Sequence, residues 1–269
     1  MSGASGSGPP GGDAPPATAR PAASLAVLRI GPSGAAEALF GQRGGGAAFM
    51  PSKVVFPGGA LDPEDARLAE TLSDPCDARL EAAPDADAPT GAPAAPAPTG
   101  AVLARALALS AIRETFEETG LRLGRRGGDD GAAAAFAAAG EDWSAFAADG
   151  ARPSFEALGF FFRAITPPFL PRRFDARLFV AWAGDLMEDE EDFSRASGEL
   201  APLFWTPLAE AADLDLPFVT HLAVAELASI VAEAGAIERV AAAARARPAP
   251  FFRHAAAPDG DVRAVIEPL

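Results

Sequence analysis

Apolar residues along this chain fall into short runs that are separated by glycine- and proline-rich turns. Runs of this length and composition are typical of short buried strands. The sequence therefore predicts strands over residues 24–30, 37–43, 53–56, 159–165, 176–182 and 200–205.

A helical period replaces this pattern in two longer stretches. Leu109, Ile112 and Phe116 recur at spacings that place them on one side of a helix over 102–119, and Gly120 follows as a typical C-terminal stop. A partly periodic apolar face predicts a second helix over 218–244. Shorter helical pieces are predicted at 143–146, at 154–158 and from 207.

Other segments have few large apolar residues to bury. Residues 1–23 are predicted to be a disordered tail, residues 66–104 a flexible, disordered insertion, and residues 124–140 a loop. One domain is then expected over 24–245, followed by a C-terminal extension, 246–269, that can form a hairpin around 258–260. Strands mixed with a few helices favour an α+β fold, an α/β/α sandwich with a mixed sheet.

Charge and composition narrow the class of partner. The 269 residues carry 22 Lys plus Arg against 37 Asp plus Glu, a net charge of −15, which argues against a nucleic-acid partner. Cys76 is the only cysteine, so an intrachain disulfide and a cysteine-rich zinc site are excluded. The sequence has neither a long apolar run nor a secretory signal, so we expect a cytoplasmic protein without a membrane partner.

The helix over 102–119 carries the candidate chemistry. Its geometry places Glu114, Glu117 and Glu118 within about 100° of one face, opposite the apolar stripe. Three close carboxylates need a cation, and hard oxygen ligands suit Mg²⁺ or Mn²⁺. Arg113 is placed to pair with Glu117 or to orient Glu114. A solvated acidic helix face is the alternative interpretation.

A glycine loop precedes this helix in the chain. Phe56, Pro57, Gly58 and Gly59 follow a predicted strand, and such glycines bring bare backbone close to a ligand. Together with the helix, the loop resembles the motif of the Nudix hydrolases, the Nudix box. The matching residues are, in order, Gly59, Arg113, Glu114, Glu117, Glu118, Gly120 and Leu121.

Three features depart from that box. Asp65 stands where the box has Glu, Thr115 stands at an apolar position, and residues 66–112 replace a much shorter spacer. The entropic cost of closing a flexible loop grows only with the logarithm of its length, so a site can tolerate such an insertion. One subgroup of the family also has an insertion inside the box, and its best-known members are animal organellar coenzyme A diphosphatases. This chain resembles that subgroup at Phe49-Met50-Pro51, Val55 to Gly59, Thr166-Pro167, Arg172 to Asp175 and Phe179.

The resemblance implies a divalent-metal-dependent pyrophosphohydrolase. A metal-activated water would cleave the diphosphate of a nucleoside diphosphate linked to another moiety, with coenzyme A or acyl-coenzyme A as candidate substrates. Glu117 and Glu118 would bind the metal, Glu114 would be the base or a water-bridged ligand, and the carbonyl of Gly58 or Gly59 would complete the shell. A non-catalytic Nudix-fold module that senses a nucleotide is the alternative, and relatives that dimerise leave a homodimer open.

Several residues outside the box keep two interpretations. Glu199 is either a further metal ligand or an exposed loop residue. Arg172 and Arg173 either bind a substrate phosphate or fix their loop by pairing with Asp175. Asp65 either supports the site from outside the metal shell or starts a helix. We assign no catalytic role to Cys76, His221 or His254, and expect Phe160, Phe161 and Phe162 in the core.

Overall fold

A computed structural model describes residues 17–47, 49–81, 98–127, 130–256 and 262–269. The strands are β1 (Arg20–Ile30), β2 (Ala36–Arg43), β3 (Val54–Val55), β4 (Gly58–Ala60), β5 (Gly124–Arg126), β6 (Ala151–Pro153), β7 (Gly159–Ile165), β8 (Phe174–Trp182), β9 (Leu200–Pro207), β10 (Pro250–Ala256) and β11 (Val262–Pro268). The helices are α1 (Pro63–Thr71), α2 (Ala78–Glu81), α3 (Gly100–Thr119), α4 (Asp130–Ala137), α5 (Glu141–Phe146), α6 (Phe218–Ala234) and α7 (Val240–Arg245).

Within the described residues, nine strands form one mixed sheet in the order β11-β10-β7-β8-β1-β2-β3, with β4 paired to β1 and β9 to β2. The pairs β1–β8 and β7–β10 are parallel, and the other pairs in this sheet are antiparallel. Strands β5 and β6 form a separate small antiparallel pair.

Alternating residues of β1 divide the core into two layers. Leu25 and Val27 belong to a cluster with residues of α1, α2, α3 and α5, whereas Ala26 and Leu28 belong to a cluster with residues of α6 and α7. Because successive side chains of a strand point to opposite faces, one strand serves both clusters. The predicted α/β/α sandwich with a mixed sheet is confirmed.

The six predicted strands and the helix over 102–119 are present, but β1 begins at Arg20, inside the predicted tail. Residues 1–16 of the predicted tail lie outside the described residues, and residues 17–19 are described and precede β1. The predicted hairpin exists as β10 and β11, and it extends the main sheet by pairing with β7.

The flexible insertion predicted over 66–104 is wrong for its first part. Helices α1 and α2 occupy this stretch, and Leu68, Ala69 and Leu80 are buried against α3 and its neighbours. A capping box between Asp62 and Asp65 starts α1, so a few apolar residues are enough to dock it. Residues 82–97 of the predicted insertion lie outside the described residues.

Three further predictions need correction. Residues 124–140 contain β5 and α4, and Phe136 is buried against Trp143 with ring centroids 5.0 Å apart. The helix predicted over 218–244 is broken, because Gly235 ends α6 in a left-handed conformation with φ +71°. From 207, the predicted helical piece is a 3₁₀ turn at Ala211–Asp213.

In the part of the chain that the structure describes, no single helix has the length and apolarity to cross a membrane. One pair of segments meets that criterion together, by length and composition only: Phe218–Ala234 and Ile237–Arg245, which are bent by 109° relative to each other.

Candidate active site

A cleft of about 770 Å³ crosses the sheet on its α6 side. Glu114 and Glu117 of α3 lie at one end of it, beside the backbone of Gly58, Gly59 and Ala60. This volume is within the usual range for small-molecule sites. Helix α3 lies under the other face of the sheet, so Glu114 and Glu117 reach the cleft past β4, which pairs with β1 and with no other described strand. Glu118 is buried and is not among the residues that line the cleft.

The two glycines of β4 permit a close approach between strand and helix. The Gly58 backbone N–H donates to Glu118 Oε2 at 2.8 Å, and the Glu118 side chain is buried. A Cβ on Gly59 would lie 2.4 Å from the carboxylate carbon of Glu114, and one on Gly58 would lie 2.3 Å from Ser24 Oγ. Any other residue at position 59 would therefore push the Glu114 carboxylate away from the strand, and any other residue at position 58 would collide with β1.

Arg113 ties the acidic residues together. Its Nη1 is 2.6 Å from Glu117 Oε1, and its Nη2 is 3.1 Å from Glu114 Oε1 and 3.0 Å from Asp65 Oδ2. The two partners that the sequence left as alternatives, Glu117 and Glu114, are thus both used.

Asp65 starts a helix, as one of its two interpretations predicted, and it also contacts Arg113. It closes the capping box of α1 by accepting the Asp62 N–H, and its fully buried carboxylate accepts Arg113 Nε at 3.0 Å and Trp143 Nε1 at 3.0 Å. The shorter Asp side chain at this position of the box thus still reaches the arginine. Trp143 was not predicted to belong to the site.

Burial raises the pKa values of the acidic residues around Arg113. Desolvation raises the pKa of Glu118 to about 8 and that of Glu114 to about 7, although the Gly58 N–H and Arg113 act in the opposite direction. Burial also raises the pKa of Glu117 and that of Asp65. The ionised forms therefore lack sufficient positive charge nearby, and a divalent cation would favour them.

The donor set fits a hard divalent cation in chemistry. Its carboxylate oxygens are the ligands that Mg²⁺ and Mn²⁺ prefer, and the cleft end beside them has bare glycine backbone. The negative charges of Glu114 and Glu199 contribute to the raised pKa of Glu118, so these groups are close enough to interact. Among the described residues, however, no group of three or more His, Cys, Asp and Glu side chains is arranged to hold a metal.

Glu199 lies in the cleft wall with its side chain 64% exposed, so both of its interpretations stay open. The connection between β8 and β9, residues 183–199, brings it there, and the Ser197 N–H fixes this connection by donating to the Glu117 carbonyl at 2.9 Å. Arg43 Nη2 is 3.5 Å from Glu199 Oε1 and lines the cleft too. No sequence signal distinguished Arg43, which ends an ordinary strand.

The other predicted residues are not brought to the cleft wall. Arg173 is buried and donates to the carbonyls of Thr166 and Ala17, and Arg172 is exposed. Asp175 pairs with Arg163 and Arg177. Phosphate binding by Arg172 or Arg173 stays a prediction. His254, to which we assigned no role, lines the cleft, and Cys76 lies in a separate pocket where burial raises the pKa of its thiol to about 12.

A comparison with solved structures agrees with the motif. A Nudix hydrolase from Alicyclobacillus acidocaldarius is 30% identical to this chain, with 77% of this chain and 90% of that chain covered and a TM-score of 0.54. The chain belongs to the Nudix hydrolase family. No family model matches this Nudix protein, and no curated protein matches it.

More distant structures also align with this Nudix protein. RenU, a Nudix hydrolase from M. smegmatis, is 16% identical, with 80% and 87% of the two chains covered and a TM-score of 0.38. An Ap4A hydrolase binary complex from C. elegans is 14% identical, with 79% and 98% covered and a TM-score of 0.37. These two values are too low to add to the assignment.

Proposed function

We propose that this Nudix protein hydrolyses the diphosphate of a nucleoside diphosphate linked to another moiety, with Mg²⁺ or Mn²⁺ as cofactor. The observation that carries the proposal is the end of the cleft, where Glu114 and Glu117 stand beside the bare backbone of Gly58 and Gly59. Membership of the family supports it.

In this proposal Glu114, Glu117 and Glu118 hold the metal, with Glu199 and the carbonyl of Gly58 or Gly59 as further ligands. A divalent ion held there would neutralise phosphate oxygens and lower the pKa of a bound water. Arg113 keeps Glu114 and Glu117 in place through its ion pairs. Glu114 would accept a proton from the attacking water, because a divalent cation would favour its ionised form. Arg172 and Arg173 remain candidates for phosphate binding.

Coenzyme A or an acyl-coenzyme A is the substrate that we propose to test first. Support comes from the motifs Phe49-Met50-Pro51, Thr166-Pro167 and Arg172-Arg173 in the sequence, and from the position of Phe49, Met50 and Thr166 in the cleft wall. Cleavage of coenzyme A would yield 3′,5′-ADP and 4′-phosphopantetheine.

A hydrolysis screen with and without millimolar Mg²⁺ tests the function. The panel contains coenzyme A, acyl-coenzyme A, dinucleotides, ADP-ribose, nucleotide sugars and NADH. In the Glu117→Gln variant we expect kcat to fall at least about 100-fold with the fold intact, because removing a ligand costs at least as much as removing a residue that supports one. Glu70→Gln, an exposed site on α1, is the matched control. Wild-type turnover by the Glu117→Gln variant would refute the metal-ligand role.

A nucleotide sensor without hydrolysis is the second candidate. It is favoured by the absence, among the described side chains, of a group already arranged to hold a metal. The complete set of Arg113, Glu114, Glu117 and Glu118 counts against it, since a sensor has no need of the set. Ligand-dependent shifts in melting temperature without product release, across the whole panel, would favour the sensor.

A further inference from the structure

The floor of the cleft is a row of alanines that runs across the sheet. The strand registers pair Ala60 with Ala22, Ala22 with Ala176, and Ala176 with Ala164. All four line the cleft. Laterally paired residues point to the same face, so four methyl groups lie side by side where larger side chains would fill the space.

The row of alanines has different neighbours at its two ends. Ala60 follows Gly59, which lies against the carboxylate of Glu114, whereas Ala164 is paired with Phe252 of β10. From β4 to β10 there are four inter-strand spacings, which at about 4.8 Å each span about 19 Å. The proposed reaction site and the far end are thus separated by much more than the size of a diphosphate.

Aromatic rings form the far end. Phe252 contacts Phe218 and His254 edge to face, with centroid distances of 5.7 Å and 5.4 Å, and His254 contacts Phe169 at 6.0 Å. Phe218 and Phe169 are 66% and 63% exposed, unusual for such large apolar side chains. His254 Nδ1 is buried and has no hydrogen-bond partner within the described parts of the chain.

The walls between the two ends are mainly apolar, with charged side chains contributed by Arg20, Arg43 and Glu199 besides the carboxylates of α3. The apolar lining includes Phe49, Met50, Ile165, Leu170, Phe174 and Val219. A planar base would cover only part of such a surface, whereas an extended chain would contact the floor and both walls along their length.

We propose that the alanine row is a specificity groove that receives the non-reacting moiety of the substrate as a flexible, mostly apolar chain ending at the aromatic rings. The inference rests on the proposed function and deepens it. Each methylene that leaves water for the groove should strengthen binding about fourfold until the groove is filled.

Alkyl esters of ADP, from methyl to dodecyl, test the groove. Water cleaves the diphosphate of each ester to give AMP and an alkyl phosphate, and only the chain length varies. In the wild type we expect kcat/KM to rise with chain length and then level off. Ala176→Leu, which raises the floor midway, should make it level off at a shorter chain, with the largest loss for the longest esters.

Phe218→Ala keeps the test independent of core packing, because this side chain is mostly exposed. It should weaken only the longest esters, by several-fold. Ile30→Ala removes another exposed apolar side chain, 51% exposed, that does not line the cleft, and it should change none of them. Equal kcat/KM values across all chain lengths, or an equal loss for every ester in Ala176→Leu, would overturn the groove.

Calorimetric binding of the same esters separates this inference from the proposed function. If no ester is hydrolysed but affinity rises with chain length and Ala176→Leu truncates the rise, the hydrolase proposal fails and the groove stands. If the esters are hydrolysed at rates that do not depend on chain length, the hydrolase proposal stands and the groove inference is wrong.

Discussion

Gly59 matters because the absence of a side chain leaves room for the Glu114 carboxylate. In the Gly59→Ala variant the new methyl group would overlap the Glu114 carboxylate, whose carbon lies 2.4 Å from the position that this methyl group would take. We expect metal-dependent turnover to fall at least tenfold while the melting temperature changes little, because Glu114 can swing into the cleft. Steady-state kinetics and a melting curve check both parts. Gly46→Ala, which would meet no atom within 4 Å, is the control, and equal activity of the two variants would contradict the steric argument.

Asp65 is the residue on which the buried end of Arg113 depends. Replacing it with Asn removes one of the three carboxylates that pair with the buried guanidinium, and breaking a buried pair typically costs about 3–5 kcal/mol. The free energy of unfolding, measured by urea titration, should fall by this order, and turnover should fall with it because Glu114 and Glu117 lose their anchor. Asp74→Asn, at a half-exposed side chain with one distant ion pair, should stay within about 0.5 kcal/mol of the wild type.

At the scale of single residues, the sequence predicted what lies on one helix. The spacing of Arg113, Glu114, Glu117 and Glu118 follows from helical geometry, and their proximity to Gly58 and Gly59 followed from the motif. Trp143 could not be predicted, because its bond to Asp65 joins residues 78 positions apart and depends on how α5 packs on α3.

The connection between β8 and β9 is the element that carries Glu199, and ion pairs hold it. Glu188 accepts the Arg122 N–H at 2.7 Å and Arg122 Nε at 2.6 Å, and Arg29 pairs with Glu190 at 3.1 Å and with Glu191. Long connections with few apolar contacts open most readily, so these charges matter for local stability.

Glu188→Ala should therefore loosen the whole connection. We expect trypsin to cleave after Arg195 several-fold faster than in the wild type, with global unfolding changed much less. Mass spectrometry of the fragments identifies the cleavage site. Glu238→Ala, an exposed glutamate elsewhere, is the control, and unchanged cleavage after Arg195 in Glu188→Ala would show that the anchor is unimportant.

At the scale of elements, long or strongly apolar segments were predicted and short ones were missed. Helices α1 and α2 contribute few buried side chains, such as Leu68 and Leu80, and they are docked by the core that α3 forms with the sheet. Composition alone therefore could not distinguish them from an insertion. The break between α6 and α7 was missed because a single Gly235 is tolerated in many helical patterns.

For the whole molecule, the buried carboxylates link stability to pH. The folded pKa values of Glu114 and Glu118, about 7 and about 8, exceed the ordinary value of 4.5, so the folded state binds these protons more tightly. The resulting stabilisation is complete below the ordinary value and is lost as the pH rises through the folded values.

When a chelator removes divalent metal, the melting temperature should therefore decrease as the pH is raised from about 5 to about 9. Millimolar Mg²⁺ binds the ionised carboxylates, so it should make this decrease smaller at the alkaline end. Differential scanning calorimetry with and without Mg²⁺ measures this. Glu118→Gln should flatten the profile in chelator, and a profile as steep as that of the wild type would exclude Glu118 as a source of the dependence.

The acidic helix belongs to one core layer and the cleft to the other, and the two meet only past the narrow strand β4. A chain with one layer formed and the other still open would bury much of its apolar surface yet present no complete site. Recovery of ligand binding during refolding should consequently follow whichever layer consolidates last, and lag behind the return of helical signal.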